Sequence, residues 1–380
     1  MSGAARLFAR LARPLPVLAL AALLGACSST PEKPKPTPLE PLAPALTVRP
    51  VWNQRIGTAA LPLRIATQGN AIVVASSNGT VAAFAADSGQ PLWRGAAGAE
   101  IGAGVGSDAR RVAVVTRGGD LVVMESGTVR WKQPLGARSL TAPLLAGERV
   151  FVYGTDRSVQ AFDADSGTRL WRLQRPGDPL TLAQPGVLLP VRDTLLVGQG
   201  TRLAGLDPLH GTMRWDVLLA SPRGTNEVER LADLVGPAAR VGDMVCARAY
   251  QAAVACVNAD SATLAWSRNT SGAQGLQADE RHVYGADSTD RITAWRRANG
   301  EVAWQSERFR FRGLGSPALA PSAVVFGDGE GWVHLLSRDD GRPLARVSTD
   351  GSPVVGAPVL AAGNLVVVTR SGGVFAFRIE

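Results

Sequence analysis

Short apolar runs alternate with small polar turns along almost the whole chain. Ala71-Ile72-Val73-Val74-Ala75 is followed by a turn at Ser77-Asn78-Gly79 and then by Thr80-Val81-Ala82-Ala83-Phe84. Arg149-Val150-Phe151-Val152-Tyr153 is followed by Asp156-Arg157 and then by Ser158-Val159-Gln160-Ala161-Phe162. Runs of this length, rich in Val, Ile, Phe and Ala and bounded by Gly, Asn, Asp and Ser, predict short strands joined by hairpins. No stretch carries a sustained 3.6-residue apolar period, so helical repeats are disfavoured.

A second pattern lies over the first. Asp87-Ser88-Gly89 leads to Trp93, Glu125-Ser126-Gly127 to Trp131, Asp165-Ser166-Gly167 to Trp171, His210-Gly211 to Trp215 and Asn299-Gly300 to Trp304. Two copies are degenerate: Asp260-Ser261-Ala262 reaches Trp266 without the glycine, and Asp339-Asp340-Gly341 reaches Ala345 without the tryptophan. A repeat of about 40 residues holds four short strands, which is one propeller blade. Trp52 has no strands before it, and the last repeat stops at Glu380 before a fourth strand. The segment around Trp52 is therefore expected to complete the last blade. The expectation is an all-β, eight-bladed β-propeller of four-stranded antiparallel blades over 51–380, closed by its N-terminal strand, with the tryptophans packed between blades. Full closure leaves the ring without a free end.

The N-terminus reads as a targeting segment. Arg6, Arg10 and Arg13 precede the apolar run Leu15 to Leu24, which is too short to span a bilayer. Leu24-Gly25-Ala26-Cys27 is similar to a bacterial lipobox. That similarity implies a signal peptide over 1–26 and lipidation of Cys27, with Ser28 predicting sorting to the outer membrane. Several acyl chains anchor where one would be marginal. Residues 28–50 carry prolines at 31, 34, 36, 38, 41, 44 and 50 and predict, with Cys27, an extended tether over 27–50. Such a segment reaches roughly 60 Å over about 20 residues.

The formal charge is +8, and three of its arginines lie ahead of Cys27. No run of basic residues interleaved with aromatics suggests a nucleic-acid groove. His210, His282 and His334 fall in different repeats and make no metal-ligand spacing. The glycine clusters at 102–106 and 327–331 lack the Lys-Ser/Thr of a phosphate loop. No catalytic residue, metal site or cofactor is predicted. Cys246 and Cys256 symmetrically flank the hairpin expected at Ala247–Ala255. Export favours a disulfide and cross-strand geometry disfavours one, so both a bridge and two buried thiols stay open.

The Trp215 to Trp266 step is about ten residues longer than the others, with the surplus near 221–231. A second long connection, 174–190, carries Leu180, Leu182 and Leu188. The two leave adjacent blades and are expected to form one surface patch, since repeat insertions map to one face.

The Asp-Ser-Gly turn followed by Trp resembles the repeat of the pyrroloquinoline-quinone (PQQ) enzymes. Joined to a lipobox in a chain of this length, it is similar to the BamB family, lipoproteins of the outer-membrane β-barrel assembly machinery. The segment from Thr225 to Asp233 is similar to a family stretch of the form Ser-Thr-Glu-Ile-Asp-Arg-Leu-Ser-Asp, and Pro179-Leu180-Thr181-Leu182 to a Leu-Ser-Leu-Arg stretch. The resemblance implies a scaffold without catalysis on the periplasmic face of the outer membrane. It implies docking on a periplasmic polypeptide-transport-associated (POTRA) domain of BamA, beside other assembly-complex subunits and nascent outer-membrane proteins. It implies Leu180, Leu182 and Asp233 as contacts, with Glu229 and Arg230 beside them. Ala183 stands where the family usually has Arg, and Val235 where it can have a second acidic residue. The alternative is a membrane-tethered quinone-dependent dehydrogenase. That enzyme needs calcium ligands and commonly an adjacent cysteine pair, which this chain does not have.

Overall fold

The computed structural model describes residues 34–60, 63–175, 180–221, 225–226 and 231–380. Cys27 and the signal segment, and also Glu229 and Arg230, lie outside the described residues. The described strands form eight four-stranded antiparallel sheets. Seven are consecutive in sequence: blade 1 (66–96), blade 2 (101–134), blade 3 (144–174), blade 4 (188–218), blade 5 (234–269), blade 6 (277–306) and blade 7 (318–348). Blade 8 takes three strands from the C-terminus (354–379) and its outermost strand, Val48–Arg55, from the N-terminal side. The register runs from Val48 opposite Ile379 to Arg55 opposite Gly373.

Each middle strand is apolar on both faces because a blade is covered on both sides. The buried side chains form eight clusters, and each one spans the seam between two neighbouring blades. The seam between blades 8 and 1 is built like the rest. It joins Val366, Val368 and Val374 to Ile72, Val74 and Phe84, with Trp52 packed alongside. The ring is therefore shut by packing as well as by strand pairing.

The glycine–tryptophan period has a direct cause. The Trp52 indole reaches across the seam and donates to Ala86 O (3.1 Å) in the hairpin of blade 1. Trp131 donates to Ala164 O (3.0 Å), Trp171 to Pro208 O (3.1 Å), Trp266 to Arg297 O (2.8 Å) and Trp304 to Arg338 O (3.0 Å). Each ring lies flat on the glycine of the hairpin it reaches. A Cβ on Gly89, Gly167, Gly211, Gly300 or Gly341 would stand 2.4–2.7 Å from the indole above it, closer than real carbon atoms come. These glycines also share φ of +72 or +73°, in the left-handed region. The turn needs glycine twice, once for its backbone angle and once for the ring it carries.

The two degenerate repeats follow from the same joint. Ala262 holds φ +53° in the blade 5 hairpin, where a glycine would receive Trp215. Trp215 turns instead onto Gly205 of its own blade, where a Cβ would be 2.3 Å from the ring. Ala345 replaces a tryptophan because the next blade has no such hairpin to receive it. The third strand of blade 8 ends the chain, and its fourth comes from elsewhere in the sequence.

The described part of the expected tether packs against the ring. The outer strand starts at Val48, and residues from Thr37 onward already lie along blade 7. Thr37 N–H donates to Arg310 O (2.9 Å), and Ala45 N–H to Leu344 O (2.7 Å). Arg312 donates to Thr37 O (3.0 Å), and Glu40 pairs with Arg308. Leu39 and Leu46 pack on the clusters of the 6–7 and 7–8 seams. Under this strap His334 Nε2 meets Asp328 Oδ2 at 2.9 Å, and burial pushes the imidazole pKa down. Proline fixed the extended shape, as its φ demands, but apolar residues between the prolines found a surface.

Cys246 and Cys256 are register partners on the second and third strands of blade 5, with Cα atoms 4.0 Å apart, and the structure joins them as a disulfide.

If the joint is a packing contact, Gly167→Ala loses stability twice, about 1–2 kcal/mol for the left-handed backbone and about 1–3 kcal/mol for the forced indole. Gly69→Ala is the control, since its φ is +58° and nothing lies within 4 Å of its Cβ position. Urea unfolding is expected to show the larger loss for Gly167→Ala. Equal losses would mean that the glycine serves the backbone alone.

Candidate partner-docking face

In every blade the connection from the outermost strand to the next innermost strand emerges on one face of the ring, beside the turn between the two middle strands. The long connections 175–187 and 219–233 are two of these, leaving blades 3 and 4. The structure brings them together. Leu182 N–H donates to Asp233 Oδ2 (3.0 Å), and Arg157 Nη2 donates to Asp233 Oδ1 (3.3 Å) and to Leu180 O (3.0 Å). Gly186 and Val235 form a backbone bridge, and Gly236 N–H donates to Pro185 O (2.9 Å). The base of the first loop is fixed by Arg175, which reaches Gln199 Oε1 (2.8 Å) and Asp216 Oδ2 (3.1 Å).

The carboxylate of Asp233 is thus the clasp between the loops. Its side chain is 17% exposed and that of Arg157 is 12% exposed. Charge-assisted bonds at such a site are stronger than neutral ones. Leu180 projects outward at 40% exposure, while Leu182 is half-buried beside the clasp. Beneath them a cavity of about 30 Å³ is bounded by Tyr153, Leu182, Asp233 and Val235. Burial pushes the Tyr153 phenol up to about 12. A cavity of that size is large enough for a water molecule and too small for a large side chain.

Of the residues expected in the patch, Leu180, Leu182 and Asp233 come together. Leu188 does not: it pairs with Val197 in the innermost strand of blade 4 and borders the central channel. Val235, at the position where an acidic residue was considered, is 1% exposed and offers a partner nothing. Ala183 is exposed. The residue that sequence reasoning passed over is Arg157. Its one signal is position, in the tight turn after Tyr153, where it holds φ +62°. A non-glycine residue rarely sits there.

The central channel is the largest cavity described, about 430 Å³, and residues of all eight blades line it. Its charged lining residues are Arg64 and Arg240, with no carboxylate. Among the described residues no group of three His, Cys, Asp or Glu side chains is placed to hold a metal. A calcium–quinone pair needs anionic oxygen ligands, and this donor set does not fit one.

Propellers of eight four-stranded blades jointed by a repeated tryptophan form the quinoprotein-like class, and this ring is one of them. Residues 77–306 match the family model described as outer membrane protein assembly factor BamB. The chain belongs to that family. It is 36% identical to the protein of that name from Burkholderia pseudomallei over 98% of this chain and 99% of the relative. It is 33% identical to the one from Bordetella pertussis, with 92% of each chain covered. The crystal structure of BamB from Moraxella catarrhalis superposes with a TM-score of 0.79 at 23% identity, covering 87% of this chain and all of that one. A quinohemoprotein alcohol dehydrogenase from Comamonas testosteroni shares the fold at TM-score 0.67 and 15% identity, over 87% of this chain and 76% of its own.

Asp233→Ala removes the clasp without touching a blade core. Hydrogen exchange at the Leu182 amide is expected to speed up at least tenfold while the melting temperature stays within a degree or two. An unchanged Leu182 amide would show that the bridge at Gly186 holds the loop unaided.

Proposed function

We propose that the chain is an outer-membrane lipoprotein of the β-barrel assembly complex, a non-catalytic scaffold that docks on a periplasmic POTRA domain of BamA. In this reading Cys27 carries the acyl chains and the ring stands on the periplasmic face. There, with the other subunits of the complex, it assists the folding and insertion of outer-membrane proteins. Family membership supports the setting, since the relatives are named for outer membrane protein assembly.

The observation that carries the docking site is the clasped pair of loops. Arg157 and Asp233 tie the backbone at Leu180 and Leu182 to the end of the second connection, and the Leu180 side chain is exposed. A pre-ordered loop loses little entropy on binding. One leucine buried against a partner contributes about 1.5–3 kcal/mol, enough for an anchor. Asp233 acts in this account by positioning, and Leu180 by contact. Glu229 and Arg230 extend the same loop and are proposed as its charged rim.

Leu180→Asp tests the site. The residue is exposed, so the fold is expected to keep its stability to within about 0.5 kcal/mol. Co-purification with BamA from detergent-solubilised outer membrane is expected to be lost. A folded variant that still brings BamA down at wild-type yield would remove this face from the account.

A further inference from the structure

The channel through the ring is more than a packing remainder. At or just before the innermost strand, blades 2, 3, 4, 5, 7 and 8 place Gly104, Ala142, Val187, Pro237, Ser316 and Ala357 against it. Blade 1 places Arg64 there. Its backbone is fixed by bonds to blade 2, from Arg64 N–H to Gly104 O (2.7 Å) and from Val105 N–H to Arg64 O (3.1 Å). The side chain has no hydrogen bond or ion pair among the described residues. The other channel arginine is already committed: Arg240 donates to Pro190 O (2.9 Å) and Gly242 O (3.0 Å).

The Arg64 guanidinium is reached by solvent, yet the channel walls crowd it enough that desolvation lowers its pKa. It stays charged, because an arginine does not deprotonate at any working pH. Gln184 and Gln274 border the same channel, and their carboxamides also lack protein partners among the described residues. All three side chains precede the innermost strand of their blade and so sit toward the loop face. A cationic fork and two amide donors, in a concave site with no competing carboxylate, match an oxyanion in charge and hydrogen-bonding sense. The volume, about 430 Å³, is in the range of small-ligand cavities.

We propose that the central channel binds a small oxyanion, a phosphate or carboxylate compound, through Arg64 with Gln184 and Gln274 as further donors. Arg64 is the channel arginine whose donors are not already committed to carbonyls. Gln184 belongs to the connection 175–187, but Arg64 and Gln274 lie outside both rim loops, so Leu180→Asp leaves Arg64 in place and loss of BamA docking does not bear on the site.

Calorimetry on the full-length chain at low ionic strength, with inorganic phosphate and with citrate as probes, tests this. Saturable one-to-one binding of at least one probe is expected, weakened at least tenfold by Arg64→Gln and little changed by Arg240→Gln. The ratio of the two affinities identifies the preferred oxyanion. Phenylglyoxal modification read by mass spectrometry gives an answer on the unmodified chain if Arg64→Gln fails to fold: the bound probe is expected to protect Arg64. No saturable heat with either probe, equal affinity in a folded Arg64→Gln, or no protection of Arg64 would overturn the proposal.

Discussion

At five of the eight seams an indole laid on a bare glycine, with its N–H on a carbonyl of the same hairpin, joins one blade to the next. The contact fixes where each blade sits against its neighbour, because the ring tolerates no Cβ beneath it. It also fixes the hairpin, because a glycine near φ +72° admits no ordinary substitute. Burial of an aromatic ring is among the larger single contributions to a core. Repeated around a circle, these contacts define an angle per blade, and strand pairing between Val48–Arg55 and Gly373–Ile379 completes the circle. A solenoid with the same joints would have open ends to protect; the ring has none.

Rigidity at the seams is what gives the loops their use. A loop on a soft base costs entropy when a partner orders it. Here the bases of both long connections are pinned, one by Arg175 on Gln199 and Asp216, the other by Leu234 N–H on Gly200 O (2.8 Å). Arg157 and Asp233 then clasp the two together. Asp233 accepts from Leu182 N–H and Arg157 and so holds backbone, while Leu180 beside it is exposed. The strap over blade 7 works in a similar way at another part of the ring. It turns the stretch from Thr37 to Thr47 into part of the wall.

The sequence made the ring legible because the joint needs two rare residue types at a fixed spacing. Even the irregular copies carried information: Ala262 marks the seam where Trp215 turns back, and Ala345 marks the seam whose hairpin is missing. The loop patch was legible only in part. Leu180, Leu182 and Asp233 stood out through resemblance, but the side chain linking them, Arg157, lies in the middle turn of blade 3 and has no spacing to betray it. Arg248 was hidden for a different reason. It sits in the second strand of blade 5, whose residues from Val245 to Ala249 are all buried, and no neighbouring residue in the sequence marks its partners. Its guanidinium is fully buried at the 5–6 seam, donating to Gln274 O (2.8 Å), Ser271 O (2.5 Å) and Ala286 O (2.9 Å). Satisfied carbonyls are not written in the code of the residues that supply them. The docked strap was hidden because proline-rich composition reports chain shape and not whether that shape finds a surface.

The joint itself is open to a direct measurement, a double-mutant cycle on Trp171 and Gly211 by urea unfolding. With the indole present, Gly211→Ala strains the backbone and collides with the ring; in a Trp171→Ala background only the backbone term is left. The account predicts a coupling of about 0.5–3 kcal/mol between the two sites. Additive losses, with no coupling beyond error, would show that the ring and the glycine recur side by side without supporting each other, and the explanation of the repeat would fail.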